Sequence, residues 1–397
     1  MDKLTEFAVK NPVKLMRGFH ELGQKALVEI IEATSSPDSR KQLRTWGIKD
    51  AATMIGKSIN TIKALENRND VNLPTKDING RKQYSLELIN IYRDIFKTRY
   101  IRPKDTDPIV CCALNFKGGS GKSMTSLLLS QYLAIQGLNV LGIDLDPQAT
   151  YTTWFGYIPD IDLSDDDTLT TTLLENENDI HRIIKKTYFT GIDIIPANLE
   201  LENGELKLPN FNKDQYRKLG SPLKRLDKAI QLVKDKYDVI IIDCAPKIGA
   251  LTMNAVSTIN SALITLPPAM PDFASFVRLS KTLEEVFKVI KSDHLDFFRI
   301  LLTKHKGNNS SNSVDRLIRK LYSEYVLFNH MVDSAEIDKT ASALISLYEK
   351  SYATNSSTYK RALEMSDKVN DEILSAFKVI WETNSNHHTE TKEIMYD

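Results

Sequence analysis

The stretch Asn115 to Ser123, Asn-Phe-Lys-Gly-Gly-Ser-Gly-Lys-Ser, constrains this chain more than any other. An apolar run, Ile109 to Leu114, precedes it, and Ser123 to Gln136 follows with the composition of a helix. A short apolar run of this kind reads as a buried parallel strand. Gly118, Gly119 and Gly121 lie between strand and helix. Glycine permits positive φ, and its missing side chain lets backbone N–H groups approach an anion. The helix N-terminus adds partial positive charge at the same point. Strand, glycine loop and helix in this order make a phosphate cradle. Lys122 is placed to reach terminal phosphates and the Ser123 hydroxyl to hold Mg²⁺. Phe116 stands where a standard phosphate loop has glycine, and Lys117 adds a second lysine just before the glycine pair.

Two more segments have the form such a site needs. Val140 to Asp144 is an apolar strand followed by Asp146, and Tyr237 to Asp243 is another that ends in a carboxylate. Ligands of an open parallel sheet bind beyond the carboxyl ends of its strands. Asp144, Asp146 and Asp243 are therefore expected at the same edge as the loop. One carboxylate there holds Mg²⁺ or its waters and another orients an attacking water. Ile192 to Pro196, Ser261 to Leu266 and Phe298 to Thr303 continue the strand series. Strands alternating with helices predict a doubly wound α/β fold with a mostly parallel sheet. The acidic stretch Asp160 to Asp167 is expected to be a solvated loop.

These residues carry a family resemblance. Lys117 to Ser123 resembles the deviant Walker A motif of the ParA/MinD ATPases, and Asp144 to Gln148 resembles their A′ motif. Asp243 to Pro246, followed by Gly249 to Leu251 and Asn254-Ala255, resembles their Walker B stretch. The likeness covers about Asp107 to Phe377 and is greatest to the longer plasmid-partition ParA type. It implies ATP or ADP with Mg²⁺ as cofactors. The nucleotide would be held by Lys117, Gly118, Gly119, Ser120, Gly121, Lys122, Ser123 and Met124. Lys117 would reach across a homodimer to the partner's phosphates, as an arginine finger does. Lys122 would hold the β- and γ-phosphates of its own subunit. Ser123 would ligate the metal with Asp243 acting through water, Asp144 would sit behind them, and Asp146 would position the hydrolytic water. The base is implied near the ends of the last two strands, at Thr303 and Lys304; His305 is expected on the surface. Weak ATP hydrolysis stimulated by a centromere-bound ParB partner, nonspecific DNA binding through Lys350, Lys360 and Arg361, and a cytoplasmic, nucleoid-associated location complete the implied picture.

The N-terminal part has its own character. The chain has zero net charge, yet residues 1–105 hold 20 Lys and Arg against 13 Asp and Glu, and the remainder carries the matching deficit. A basic surplus suits nucleic acid. Residues 1–44 read as a helical dimerisation segment with apolar positions including Leu4, Phe7, Met16, Phe19 and Leu22, and Pro12 starts a second helix or kinks the first. Residues 45–102 read as a winged helix-turn-helix. Ile48 to Ile55 is the first helix, Gly56-Lys57 the turn, and Ser58 the cap of a second helix. Ser58, Asn60, Thr61 and Lys63 are candidates for base edges in a major groove. Arg81, Lys82 and Tyr84 belong to a basic hairpin wing, and the order of these residues resembles the MerR-type DNA-binding fold. Autorepression of an operon in the ADP or nucleotide-free state follows from that likeness. Residues 103–397 are the expected ATPase domain, with Arg102 to Pro108 as linker.

Composition excludes several classes. Hydrophobic residues at 42% are enough for a full core. The three cysteines, Cys111, Cys112 and Cys244, fit core strands better than metal ligation or a disulfide framework. Met1 to Lys10 lacks the apolar core of a secretory signal. Two alternatives remain open: a MinD-like ATPase cycling on membranes through a C-terminal amphipathic helix at 367–382, and a regulatory DNA-binding protein with a degenerate ATPase domain. Only two lysines on that helix argue against the first. Intact Lys117, Lys122, Ser123, Asp146 and Asp243 argue against the second.

Overall fold

The computed structural model describes residues 12–34, 41–291, 294–350 and 356–394. The chain divides into two compact units, Met1–Gln42 and Leu43–Asp397. In the first, helix α1 (Pro12–Thr34) starts at a proline, whose missing N–H has no helical partner at that position. Val13, Met16, Phe19 and Leu22 are exposed along it at three-residue steps. Leu4 and Phe7 lie outside the described residues.

The second unit opens with α2 (Ile48–Ile55) and α3 (Ile59–Glu66). Gly56 joins them at φ 73°, a left-handed conformation that glycine adopts without cost. Strands β1 (Thr75–Lys76) and β2 (Lys82–Gln83) form an antiparallel hairpin, and α4 (Leu86–Phe96) follows. Ala51, Ile55, Ile62, Tyr84 and Ile89 are all fully buried within this module. The module is fastened to the sheet domain. Arg93 of α4 is 3% exposed and donates to the Met54 and Ile135 carbonyls at 3.0 and 2.8 Å. Arg99 donates to the Gly137 carbonyl at 2.6 Å.

The main sheet has seven strands: β3 (Ile109–Leu114), β4 (Val140–Leu145), β5 (Lys185–Lys186), β6 (Ile192–Ile195), β7 (Val239–Cys244), β8 (Ser261–Leu266) and β9 (Phe297–Leu302). Their order is β5-β6-β4-β7-β3-β8-β9, parallel except for β5 at one edge. Helices α5 (Lys122–Ile135), α6 (Thr150–Trp154), α7 (Pro159–Asp162), α8 (Leu169–Leu174), α9 (Ile180–Ile183), α10 (Leu201–Lys207), α11 (Lys213–Leu219), α12 (Arg225–Gln231), α13 (Ala250–Thr258), α14 (Met270–Ile290), α15 (Asn309–Tyr322), α16 (Ala335–Ser342) and α17 (Ser357–Ile394) connect and flank the strands. Alternate residues of β3 enter different apolar clusters: Ile109 and Cys111 one, Val110, Cys112 and Leu114 the other. Period-two alternation with both faces covered is what a continuous apolar strand requires. The doubly wound, mostly parallel sheet expected from the sequence is the observed fold.

Two local expectations change. The acidic stretch is not a loop. It contains α7 and a helical turn at Asp165–Asp167, where Ser164 and Asp167 cap one another, because carboxylates at a helix start satisfy free N–H groups. His305, expected on the surface, is buried, 5% exposed. Its Nδ1 accepts the Gly307 N–H at 3.0 Å, and Nε2 faces Asp315 at 3.2 Å.

The apolar face of α17 is occupied inside the fold. Val369, Ile373, Phe377 and Trp381 are buried, Trp381 stacks on Tyr100 at 5.8 Å, and its indole N–H donates to the Asp107 carbonyl at 3.2 Å. A membrane-lying helix needs that face free. Among the described residues no helix is long and apolar enough to cross a membrane.

Candidate functional site

The loop between β3 and α5 is held by the ends of two neighbouring strands. Asn115 donates to the Thr265 carbonyl at 2.6 Å and accepts the Lys117 N–H at 2.8 Å. Ser120 Oγ lies 3.1 Å from Thr265 Oγ1, and Thr303 Oγ1 donates to the Ser120 carbonyl at 2.7 Å. Gly119 and Gly121 take φ of 75° and 91°, where a side chain would be strained. The loop so held borders a cavity of about 430 Å³ lined by Gly118 to Thr125, Asp146, Pro246, Thr303 and Lys304.

Charge inside the cavity is arranged by burial. Lys122 is 7% exposed. Burial pushes its ammonium down, while Asp243 and Asp146 oppose the shift. Asp243 is fully buried at the end of β7, with Oδ1 accepting from Ser126 at 3.3 Å. Its Oδ2 is buried with no hydrogen-bond partner, an arrangement that costs free energy unless a cation or its water fills it. A Ser123 hydroxyl on the next helix and one orphaned carboxylate oxygen fit Mg²⁺, which takes one or two protein ligands and keeps its waters.

Asp144 stands apart from that role. Its Oδ2 accepts both the N–H and the hydroxyl of Thr152, at 2.9 and 2.7 Å, and its Oδ1 accepts the Asp146 N–H at 3.0 Å. It fastens α6 and the Asp146 backbone rather than presenting an open oxygen. Asp146 is half-buried, with Oδ1 accepting the Gln148 N–H at 3.0 Å. Ala149 beside it holds φ 52°, a strained conformation for a residue with a Cβ.

Burial raises both inner carboxyls, Asp144 to about 8 and Asp243 to about 7, and the two carboxylates repel. A carboxyl raised above its unfolded value near 4 contributes stability at low pH that is lost as pH climbs toward the folded value. Without nucleotide, the protein is expected to become more stable as pH falls from 8 to 6, by up to about 1.4 kcal/mol per pH unit for each proton taken up. Asp144→Asn flattens that slope. Denaturant midpoints for parent and variant across this range check it; parallel slopes count against a raised Asp144 carboxyl.

Lys117, the extra lysine of the loop, has an ion-pair partner within its own chain. Its ammonium pairs with Asp272 of the same chain, Nζ to Oδ1 at 2.8 Å, with 42% of the side chain exposed. The pair borders a second cavity, about 530 Å³, with Pro267, Pro268 and Lys304 on its wall. Asp272 carries no sequence signal beyond that of an acidic residue in a first helical turn.

The segment after β9 supplies the rest of the main cavity and was missed from sequence. Met331, Val332, Asp333, Ser334, Ile337 and Ala341 line its far side. Met331 N–H donates to the Leu302 carbonyl at 2.9 Å, so the segment extends the sheet edge. Leu128 and Met124 line the same space, so its wall sets apolar side chains beside the loop residues and the carboxylates of Asp333 and Asp338.

Four candidates for DNA contact have partners within the chain, and of these Tyr84 alone is buried. Tyr84 is fully buried and donates to Glu66. Lys82 is paired with the same Glu66. Ser58 caps α3, accepting the Thr61 N–H at 3.1 Å. Lys350 pairs with Glu336 at 2.9 Å and lies over the Tyr359 ring. Asn60, Thr61, Lys63, Arg81, Lys360 and Arg361 are exposed.

The known proteins that this chain resembles agree with the site. A family model described as an AAA domain matches residues 109–296. Protein SopA of Escherichia coli (strain K12) is 33% identical over 358 residues, 87% of this chain and 92% of that protein. A virulence plasmid ParA family protein, pGP5-D of Chlamydia psittaci, is 30% identical over 275 residues, 68% of this chain and 97% of its own length. A solved structure named Partition Protein superposes with a TM-score of 0.63 at 18% identity, covering 91% of this chain and 98% of that one. A phosphate loop with a paired extra lysine and near-full-length likeness to partition proteins converge: the chain belongs to the ParA family of plasmid-partition P-loop ATPases.

Proposed function

We propose that this chain binds ATP with Mg²⁺ in the 430 Å³ cavity, hydrolyses it weakly as a dimer, and couples the cycle to two modes of DNA binding. The observation that carries the reading is the polarity of that cavity. Its wall carries a polar set, Gly118 to Lys122 with Asp146, and an apolar set, Leu128, Met331 and Ile337, while the orphaned Asp243 oxygen lies buried at the end of β7. A triphosphate fits the first and a flat heterocycle the second. Mg²⁺, held by Ser123 and Asp243, neutralises phosphate charge when bound. Lys122 binds the terminal phosphates, and Asp146 orients the attacking water. Lys117 leaves Asp272 and reaches the phosphates of a second copy, tying turnover to dimerisation. A centromere-bound ParB-type partner stimulates the step.

Residues 45–102 are proposed to read an operator, with Asn60, Thr61 and Lys63 toward base edges and Arg81 toward phosphate. Lys360 and Arg361, at the start of α17, are proposed to meet DNA without regard to sequence in the ATP state. One titration tests both, using the duplex upstream of the coding sequence and a random duplex, each with ATP, ADP or no nucleotide. Lys63→Ala is expected to cost about 1–3 kcal/mol on the upstream duplex alone. Replacing Lys360 and Arg361 by alanine lowers binding to both duplexes with ATP. An equal Lys63 loss on both makes that lysine a phosphate contact, and binding indifferent to nucleotide sinks the coupled reading.

A further inference from the structure

Helix α10 holds the loop that leads out of β7 with two carboxylates. That loop runs from Ala245 to Gly249, three residues beyond Asp243 it contributes Pro246 to the nucleotide cavity wall, and it ends at the start of α13. Glu202 meets Lys247 at 3.3 Å, but both side chains are about half exposed, and an exposed pair holds weakly. Glu205 is half-buried and accepts the Leu251 N–H at 2.9 Å.

Gly249 shows how closely Glu205 is seated. Its φ of −133° and ψ of −170° suit any residue. A Cβ built there would lie 1.2 Å from Glu205 Oε1 and 2.4 Å from its Cδ. The carboxylate therefore occupies the space a side chain would fill, and a Cβ at this position would push the flexible end of Glu205 out of its seat. Gly204, one residue earlier on α10, is under no such constraint: a Cβ there would rest in ordinary contact with Thr170 and Leu251, at 3.5 and 3.7 Å. Thr252 closes the loop from within, donating to the Lys247 carbonyl at 2.8 Å.

The geometry points to Glu205 as a positioning residue for nucleotide turnover: its carboxylate latches the loop between Asp243 and α13, with Gly249 as the notch that admits it. A carboxylate that only capped α13 would affect stability. One that also fixes Gly249 sets the path of a loop whose Pro246 borders the reacting phosphates. The inference rests on the proposed ATP hydrolysis.

The test compares parent, E205A, E205Q, G249A and the double variant G249A/E205A. Steady-state ATP hydrolysis gives kcat and KM, and trypsin cleavage after Lys247 without nucleotide reads the loop directly. E205A is expected to lose about tenfold in kcat, a loss in the range that small misplacements cause, with KM nearly unchanged and faster cleavage after Lys247. E205Q, which keeps an acceptor oxygen, recovers most of the rate. G249A, whose Cβ unseats the carboxylate, falls to about the E205A level, and the double variant loses nothing further because both changes break one contact. A parent that hydrolyses no ATP overturns the proposed function. A parent that hydrolyses ATP beside an E205A variant with parental kcat and parental cleavage overturns only the latch, as does a double variant in which the two single losses multiply.

Discussion

Lys122→Ala is expected to weaken binding of a non-hydrolysable ATP analogue by about 100-fold or more and to abolish hydrolysis. The lysine lies at the first turn of α5, almost wholly buried, at the wall of the cavity. A charge-assisted hydrogen bond contributes about 1.5–3 kcal/mol, and contacts to two phosphates add to at least two orders of magnitude. The folded protein survives the change, because burial already disfavours the ammonium and alanine suits a helix. Calorimetric titration of parent and variant, with a melting curve for each, checks it. Near-parental affinity would remove the phosphate-loop assignment.

Arg225→Ala is expected to lower stability by about 3–5 kcal/mol, the range found when a buried, paired charge is removed. Arg225 has no exposed surface. Its guanidinium donates to the Leu173, Leu219 and Thr172 carbonyls at 2.8, 3.0 and 3.2 Å and to Glu177 at 2.9 Å. Its backbone N–H and that of Leu226 both go to Asn254 Oδ1. Truncation removes the guanidinium from the Leu173 and Thr172 carbonyls, while the Leu219 carbonyl keeps Lys228 at 2.8 Å, in a region without strands to hold it. Arg225 does not line the nucleotide cavity, so nucleotide affinity of the protein that remains folded should match the parent. Guanidinium unfolding monitored by circular dichroism measures the loss. A change below about 1 kcal/mol would mean that water replaces the guanidinium.

The difference between these two residues marks how far the sequence could be read. Lys122 was legible because its surroundings are local: six apolar residues, three glycines and a helix carry the information within about 25 positions. The strands ending at Asp243 and Leu266 were legible for the same reason. Arg225 was invisible, since its partners come from α8, α11 and the turn before α9. Tyr84, Lys350 and His305 were misread alike. Each has a polar tip that a sequence places outside, and only the packing of distant elements encloses it. The wall from Met331 to Ala341 escaped because the segment before α16 has neither a period of two nor of 3.6. The partner of Lys117 escaped because an aspartate in the first turn of α14 already has a local explanation.

Arg93 and Arg99 moor the N-terminal helical module to the tail of α5, and the phosphate loop forms that helix's prow. Fourteen residues make a spar of about 21 Å. Whatever tilts the prow must swing the tail, and two guanidinium ropes tow the module along. A ligand that shifted the phosphate loop would, through these two hydrogen bonds, act also on the surface that α3 presents.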